Sequence, residues 1–427
     1  MPLSRFFAHC GHGRAAALNV LTAALDEDPR TVGTPTTFVR SAAELRRGLA
    51  ALPEQQPAVV GWSFTSADFA RAASELRQMR PACGAGPVLH VAGGPHASAE
   101  PLATLLAGFD LCALGEGEAT IGELVAAMRE GRDPRAGSGV AFLDGGRFVS
   151  RGPGRQLPLD EVPAFNRRWQ RINALEISRG CTHRCAFCQT PRLFPGPPRH
   201  RSVANVREQV GWLRRLGVRY LRFLAPNALA YGSADGGLDL DALEQLLEAV
   251  RDAVGPHVKL YLGTFPSEVR PDHVSLPALR VLKRAVANRD LAIGVQSGAP
   301  RVLDAMGRGY DVEQARASVR VALAAGFRPQ VDLIVGYPGE TGEDRARTLD
   351  LAEWIGQQGA RVRCHAFMPL PGTPLAGADP EPLDPASLDR LARLESAKVL
   401  HGPWRVQRGT ASRAADADDG SRGRFAL

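Results

Sequence analysis

Lysine is nearly missing from this 427-residue chain. Only Lys259, Lys283 and Lys398 occur among 52 basic residues, so almost all of the positive charge is arginine. With abundant Ala, Gly and Pro, this composition reads as a G+C-rich coding bias. The arginines are dispersed, with no block of five or six together. A net charge of +7 and a pI of about 9.3 therefore do not by themselves mark a nucleic-acid partner, and none is expected. Runs of 18 apolar residues are missing as well, which excludes a transmembrane helix. No secretion signal is read at the N-terminus. The apolar stretch 15–25 is broken by Asn19 and follows scattered His and Gly rather than a basic segment. A cytoplasmic protein with no membrane partner is expected. The seven cysteines are odd in number in a long chain, so a disulfide framework is not expected. Hydrophobic residues at 44% and charged residues at 23% exclude a collagen, a mucin-like stalk and a wholly disordered chain. The length allows two or three domains.

Residues 1–130 alternate short apolar runs with amphipathic ones. Strands are expected at 5–8, 36–39, 58–63, 88–92 and 111–114, with helices at 15–25, 42–52, 67–79 and 121–128. That alternation predicts an open parallel sheet with helices on both faces, a Rossmann-like, flavodoxin-like α/β domain. Residues 131–170 are rich in Gly, Pro and Arg and read as a linker with a small hairpin around Asp144-Gly145-Gly146. A second series follows over 171–375, with six strands at 174–177, 220–224, 259–263, 291–295, 330–335 and 362–367. Helices between them predict a partial (β/α)6 TIM-type barrel. Residues 376–403 read as a C-terminal helical region, and 404–427 as a polar, disordered tail.

Directly after the first strand of the second series comes Cys181-Thr182-His183-Arg184-Cys185-Ala186-Phe187-Cys188, a CxxxCxxC spacing. Thiolates are soft ligands that suit an iron–sulfur cluster or zinc. A four-iron cluster takes four ligands, and three local cysteines leave one iron open. Zinc would need these cysteines plus His183, but structural zinc sites use two separated ligand pairs, and no second pair follows.

This segment resembles the radical SAM superfamily, over about residues 171–375. The resemblance implies a [4Fe–4S] cluster on Cys181, Cys185 and Cys188. It also implies S-adenosylmethionine on the fourth iron, cleaved reductively to methionine and a 5′-deoxyadenosyl radical. The same resemblance places Phe187, Asn227, Gln296, Arg308 and Asp332 at S-adenosylmethionine. Gln296 lies in Ile293-Gly294-Val295-Gln296-Ser297-Gly298 and would touch the ribose. Arg308, in Met306-Gly307-Arg308-Gly309-Tyr310, matches an arginine that pairs with the carboxylate, a role that suits a guanidinium fork. Asp332, in Val331-Asp332-Leu333, matches a second ribose contact. The acidic motif that many members carry after the second strand is replaced by Ala225-Pro226-Asn227, with Asn227 as candidate.

In the first domain, three signals fall at strand ends: Ser63-Phe64-Thr65, Gly93-Gly94-Pro95-His96 and Gly115-Glu116-Gly117. Ligands of open parallel sheets bind at those ends, where glycines admit close approach to the backbone. In this order they resemble the cobalamin-binding domain found upstream of many radical SAM domains. The resemblance implies cobalamin contacts at Ser63, Thr65, Gly93, Gly94, Pro95, His96, Gly115, Glu116 and Gly117. The first strand is followed by Ala8-His9-Cys10-Gly11-His12-Gly13 rather than that group's DxHxxG, leaving His9 and His12 as alternative imidazoles or plain loop residues. No residue is assigned as acid, base or nucleophile.

The expectation is thus a cobalamin-dependent radical SAM methyltransferase acting on an unactivated carbon of a small-molecule or natural-product substrate. A flavodoxin or ferredoxin would be the electron donor, and the enzyme would be a monomer. Radical chemistry without methylation, an RNA-modifying methylthiotransferase-like activity and a non-catalytic corrinoid carrier are the alternatives.

Overall fold

Short apolar runs become parallel strands in both halves of the chain. The computed structural model describes residues 5–11, 15–53, 56–80 and 88–410. They divide into two units between Leu175 and Glu176.

The first unit holds one seven-stranded sheet. Its strands are β1 (Arg5–His9), β2 (Thr36–Val39), β3 (Ala58–Ser63), β4 (Val88–Gly93), β5 (Leu111–Ala113), β6 (Val140–Asp144) and β7 (Arg147–Ser150), in the order β2-β1-β3-β4-β5-β6-β7. The first five pair in parallel. Side chains alternate across a strand, and here each face has its own core. Phe7, Val60 and Trp62 pack with Leu45, Leu49, Ala72 and Leu76 on one side. Phe6, Ala8 and Val59 pack with Leu18, Leu25, Ile121 and Leu124 on the other. Helices Ala42–Ala50 and Ser66–Met79 therefore cover one face, and Ala15–Glu27 and Gly117–Glu130 the other. Every residue of β3 is buried because both of its faces are covered.

The hairpin expected inside a linker belongs to this sheet. β6 pairs antiparallel with β5, Cys112 opposite Ala141, and β7 pairs with β6. The reason is burial: Val140, Ala141 and Phe142 are all removed from solvent. The turn is two-residue, with Gly145 at φ 55° and Gly146 at φ 85°, a type I′ geometry that side chains with a Cβ resist.

At the start of the second unit, the boundary strand β8 (Leu175–Glu176) joins β11 (Tyr220–Leu224) and β12 (Lys259–Tyr261) in one sheet of order β12-β11-β8. Strands β13 (Asp290–Gln296), β14 (Arg328–Val335), β15 (Arg361–Ala366) and β16 (Leu400–His401) form another in chain order. A parallel bridge between Val269 and Ile293 lies between the two sheets. This is the partial barrel expected, with a short antiparallel pair, β9 (Ser178–Arg179) and β10 (Arg199–His200), added beside the cysteine segment. The intervening helices start on side-chain caps. Ser202, Asp239 and Ser275 each accept a backbone N–H, and Asp311 and Thr341 form full capping boxes.

Two boundaries differ from expectation. Residues 376–403 hold one helix, Pro385–Ser396, and then β16, which extends the barrel sheet beside β15. The polar tail does not begin at 404. Trp404 is fully buried, its Nε1 donates to Glu395 at 2.8 Å, and residues 404–410 are helical. The tail expected over 411–427, His12 and Cys83 lie outside the described residues.

Candidate active site

The cysteine loop opens where β9 ends. Gly180 takes φ 90° there, with Pro198 and the Phe194 carbonyl within about 3.6 Å of where a Cβ would stand. Cys185 is buried, while Cys181 and Cys188 are half-buried. The loop is tied at several backbone points. Ala186 N–H donates to the Met306 carbonyl at 2.9 Å, and Cys188 N–H to the Cys185 carbonyl at 3.1 Å. Arg192 Nη1 donates to the Cys188 carbonyl at 2.7 Å. Gln189 Nε2 donates to the Pro371 carbonyl at 2.8 Å, joining the loop to the segment after β15. Burial pushes the Cys181 thiol up, as does the nearness of Cys188 and Cys185. Burial, with help from Arg270, pulls His183 down to about 4, so the imidazole beside these thiols is neutral.

Arg308 is the hub. Its Nη1 donates to Cys185 Sγ at 3.0 Å, its Nη2 to the Gly294 carbonyl at 2.5 Å and its Nε to Tyr310 Oη at 2.8 Å. Burial works against its charge, but Tyr310 and Cys185 outweigh this and hold its pKa above the ordinary arginine value. Tyr310, pushed up to about 12 by burial, donates its proton to the carbonyls of Gly294 and Val295, both at 2.8 Å.

Gly294 is the open point of β13. A Cβ placed there would stand 2.9 Å from Gln296 Nε2 and 3.7 Å from both Arg308 Nη2 and Glu268 Oε2. It lies opposite Asp332 in the β13–β14 register, which shifts between Gly294 and Gln296. Gln296 is the strained residue here. It has φ 83°, which a side chain with a Cβ rarely adopts, and it is buried. An amide, a carboxylate and a guanidinium thus converge on a position kept clear by a glycine.

The expected residues are largely brought together. Arg308, Gln296 and Asp332 surround Gly294. Phe187 packs on Met306, Ile334, Tyr337 and Phe367, with the Arg308 guanidinium 6.0 Å from its ring. Asn227 stands apart from this group, beside Cys181. Both line a cavity of about 20 Å³, room for one water. Asn227 Nδ2 meets His273 Nδ1 at 2.8 Å, while its buried Oδ1 has no partner. Asp332 is already engaged: Arg363 Nε and Nη2 donate to its two oxygens at 2.7 and 2.6 Å. Burial and the nearby Glu268 raise the Asp332 pKa well above the usual carboxylate range, against the pull of Arg363. Arg363 also pairs with Glu268. Glu268, Arg363 and Tyr310 are not legible as site residues in the sequence. Tyr310 stands two residues after Arg308, the only signal it carries, and Glu268 follows β12 in a segment with no motif.

The donor set fits an iron–sulfur cluster: three thiols on one short loop, with no carboxylate among them. Among the described residues, no three His, Cys, Asp or Glu side chains converge as a single metal ion would require. Residues 175–352 match the family profile of the Radical SAM superfamily. The barrel is a radical SAM domain.

The chain is also similar to curated proteins and to solved structures. It is 32% identical over 231 residues to a tRNA-2-methylthio-N(6)-dimethylallyladenosine synthase of Ralstonia nicotianae, covering 52% of this chain and 48% of that one. The chain thus spans about half the length of this curated relative. The fold is shared with TsrM from Kitasatospora setae, a radical S-adenosylmethionine methyltransferase with cobalamin and a [4Fe–4S] cluster bound. The TM-score is 0.70 at 18% identity, over 88% of this chain and 77% of that one. It is shared too with OxsB, a cobalamin-dependent S-adenosylmethionine radical enzyme, at TM-score 0.64 and 17% identity, over 83% and 52%.

At the strand ends of the first unit, Ser63 closes β3 and Gly93 closes β4. Gly94 holds φ 92°; a Cβ there would lie 2.9 Å from the Phe64 carbonyl oxygen and 3.2 Å from Ser63 Oγ. Pro95 begins the helix Pro95–Ala99. Thr65 Oγ1 donates to Asp68 at 2.9 Å. The Gly115 N–H donates to Ser98 Oγ at 2.9 Å; Glu116 is buried, and Gly117 begins its helix against Leu21. His96 is stacked on Phe69 at 4.1 Å with Nδ1 3.0 Å from Ser66 Oγ. Burial pulls it down to about 4, and its buried Nε2 has no partner. That orphaned nitrogen lies just past the C-terminal end of β4. His9 is not such a group: it is buried, stacked on Trp62 at 4.1 Å, with Nε2 3.3 Å from Glu75. No helix among the described residues is long and apolar enough to cross a membrane.

Proposed function

We propose that the chain is a cobalamin-dependent radical SAM enzyme that methylates an unactivated carbon of a small-molecule or natural-product substrate. The observation that carries the reading is Arg308, which ties the thiol loop to the polar ring around Gly294. When bound, a [4Fe–4S] cluster supplies the electron that cleaves S-adenosylmethionine, and cobalamin supplies a transferable methyl group.

The residues divide the remaining work. Cys181, Cys185 and Cys188 hold the cluster. Arg308 exchanges the Cys185 sulfur for the S-adenosylmethionine carboxylate as the acceptor of its N–H groups. Gln296 and Glu268 meet the ribose hydroxyls, and the Arg363–Asp332 pair keeps Glu268 in place. Asn227 Oδ1 accepts from the amino group. Phe187, Tyr337 and Phe367 exclude water from the reacting atoms. His96 and the turns at Gly94 and Gly115 support corrin binding. The cobalamin-bound neighbours support the same assignment through the shared fold. A one-electron donor of the flavodoxin or ferredoxin kind serves as partner.

The test is iron and corrinoid content after anaerobic reconstitution, followed by product analysis with S-adenosylmethionine. About four irons per chain with bound cobalamin, and S-adenosylhomocysteine formed beside 5′-deoxyadenosine, are expected. Iron without cobalamin would leave radical chemistry and remove methylation. Zinc with no reconstitutable iron would sink the proposal.

A further inference from the structure

A cavity of about 550 Å³ opens on β11 and β12, lined by Arg219, Tyr220, Arg222, His257, Lys259 and Tyr261. It contains no carboxylate. It lies at the strands' N-terminal ends, whereas the cysteine loop follows the C-terminal end of its strand. Tyr220 pairs in register with Lys259, and Arg222 with Tyr261, so all four share one face of the sheet. Leu221, Phe223 and Leu260 fill the other face and are buried.

Two properties set this face apart. First, its cations lack counter-charges: none of Arg219, Arg222 and Lys259 forms an ion pair among the described residues, and His257 faces no carboxylate in the cavity. Arg222 donates only to neutral oxygens, Thr264 Oγ1 at 3.0 Å and the Phe265 carbonyl at 2.6 Å. Elsewhere, arginines such as Arg345, Arg363 and Arg390 each hold two carboxylates. Second, its aromatic rings are presented rather than packed away. Tyr220 is 67% exposed and Tyr261 half-buried, and Phe265, outside the lining, is 59% exposed. The Arg222 guanidinium lies 5.3 Å from the Tyr261 ring, and that of Arg363 lies 4.7 Å from Phe265. The run of rings and guanidiniums therefore continues from the cavity to Arg363, which is bonded to Asp332 and Glu268 beside Gly294.

We infer that this cavity binds a nucleotide unit, its phosphate held by Arg219, Lys259 and His257 and its base stacked on Tyr220 and Tyr261. Unpaired cations recruit an anion, and exposed rings flanked by guanidiniums offer a stacking platform tolerant of base identity. The volume suits one or two nucleotides, within the range of ordinary ligand pockets. S-adenosylmethionine carries no phosphate and is cationic at sulfur, so it is not the ligand of this face. The dispersed charge of the sequence argues against a nucleic-acid partner; the fold gathers three of those cations, Arg219, Arg222 and Lys259, around two tyrosines. The inference is independent of the methylation reading, because it concerns binding in the absence of S-adenosylmethionine.

The test uses the full reconstituted chain with three probes: fluorescent ATP, a labelled ten-nucleotide single-stranded RNA, and heparin as a polyanion without bases. Binding of ATP or RNA is expected to weaken about tenfold in Tyr220→Ala, in line with the loss of one stacked base. Heparin binding should be unchanged in that variant. Lys259→Glu should weaken all three, and raising salt from about 50 to about 200 mM should weaken RNA binding by roughly tenfold. Tyr220 and Lys259 are exposed, and unchanged iron content and thermal midpoint verify that each variant is folded. Binding of ATP as tight as that of RNA identifies a free nucleotide as the source; much tighter RNA binding identifies a nucleic-acid strand. No ATP or RNA binding, or binding that Tyr220→Ala leaves untouched, overturns the assignment.

Discussion

At the strand ends of the barrel, the polar side chains are bonded to one another across long stretches of sequence. Cys185 meets Arg308, Asp332 meets Arg363, and Glu268 meets Arg363. At the strand ends of the N-terminal sheet, the same positions are filled by backbone turns, and the histidines are sunk among aromatic rings. His9 stacks on Trp62, His90 receives the Trp62 Nε1 proton at 3.2 Å, and His96 stacks on Phe69. One region positions chemistry by side-chain charge, the other by shape. The difference decides what each can tolerate: a charge network fails when one partner is removed, a turn when a Cβ is added.

The largest effect should separate the two regions outright. Cys185→Ala is expected to lose its iron while retaining bound corrinoid. Gly94→Val should do the reverse, since a side chain there runs into the Phe64 carbonyl at a backbone angle that disfavours any Cβ. Metal analysis and the corrin absorption band measure both; if the two cofactors fall together in either variant, the regions are not independent. Next in size is Arg308→Lys. Lysine keeps the charge but not the fork, so iron content should hold. The change that S-adenosylmethionine induces in the spectrum of the reduced cluster should need at least tenfold more ligand. The smallest effect concerns acid. Burial holds His90 and His96 at about 4, below the roughly 6.5 of an unfolded histidine. Between those values the unfolded chain binds more protons, so their contribution is fully present above about pH 6.5 and is lost as pH falls toward 4. The urea midpoint should drop over that window, and a His90→Gln, His96→Gln double variant should flatten the drop.

The same contrast accounts for how much of the molecule is legible in its sequence. β2, β3 and β11 begin and end where the sequence places them, and in β3 burial on both faces leaves a continuous hydrophobic signal. The cysteines are legible because three thiols in eight residues have few other uses. Arg308 and Gln296 are legible through their neighbours in sequence. Glu268 and Arg363 are not: they are 95 residues apart, and only the closing of the barrel makes them a pair. β16 escapes because a two-residue strand carries no period. The Trp404 environment escapes because one tryptophan in a polar stretch does not outweigh its neighbours. At the N-terminal turns, glycine spacing marks where a ligand approaches but not which way His9 and His96 point.

The antiparallel strands β6 and β7 also bear on how the molecule is to be divided for experiment. A fragment ending near residue 130 would leave β5 with a bare row of N–H and C=O groups, an edge that pairs readily with another molecule. Such a fragment is expected to precipitate or form mixed oligomers on concentration. One that runs to Leu175 keeps the hairpin as its own cover and should remain monodisperse in gel filtration. The forty-odd residues that read as a spacer are thus the N-terminal domain's protective rim, and cobalamin binding by the isolated domain is best measured with them in place.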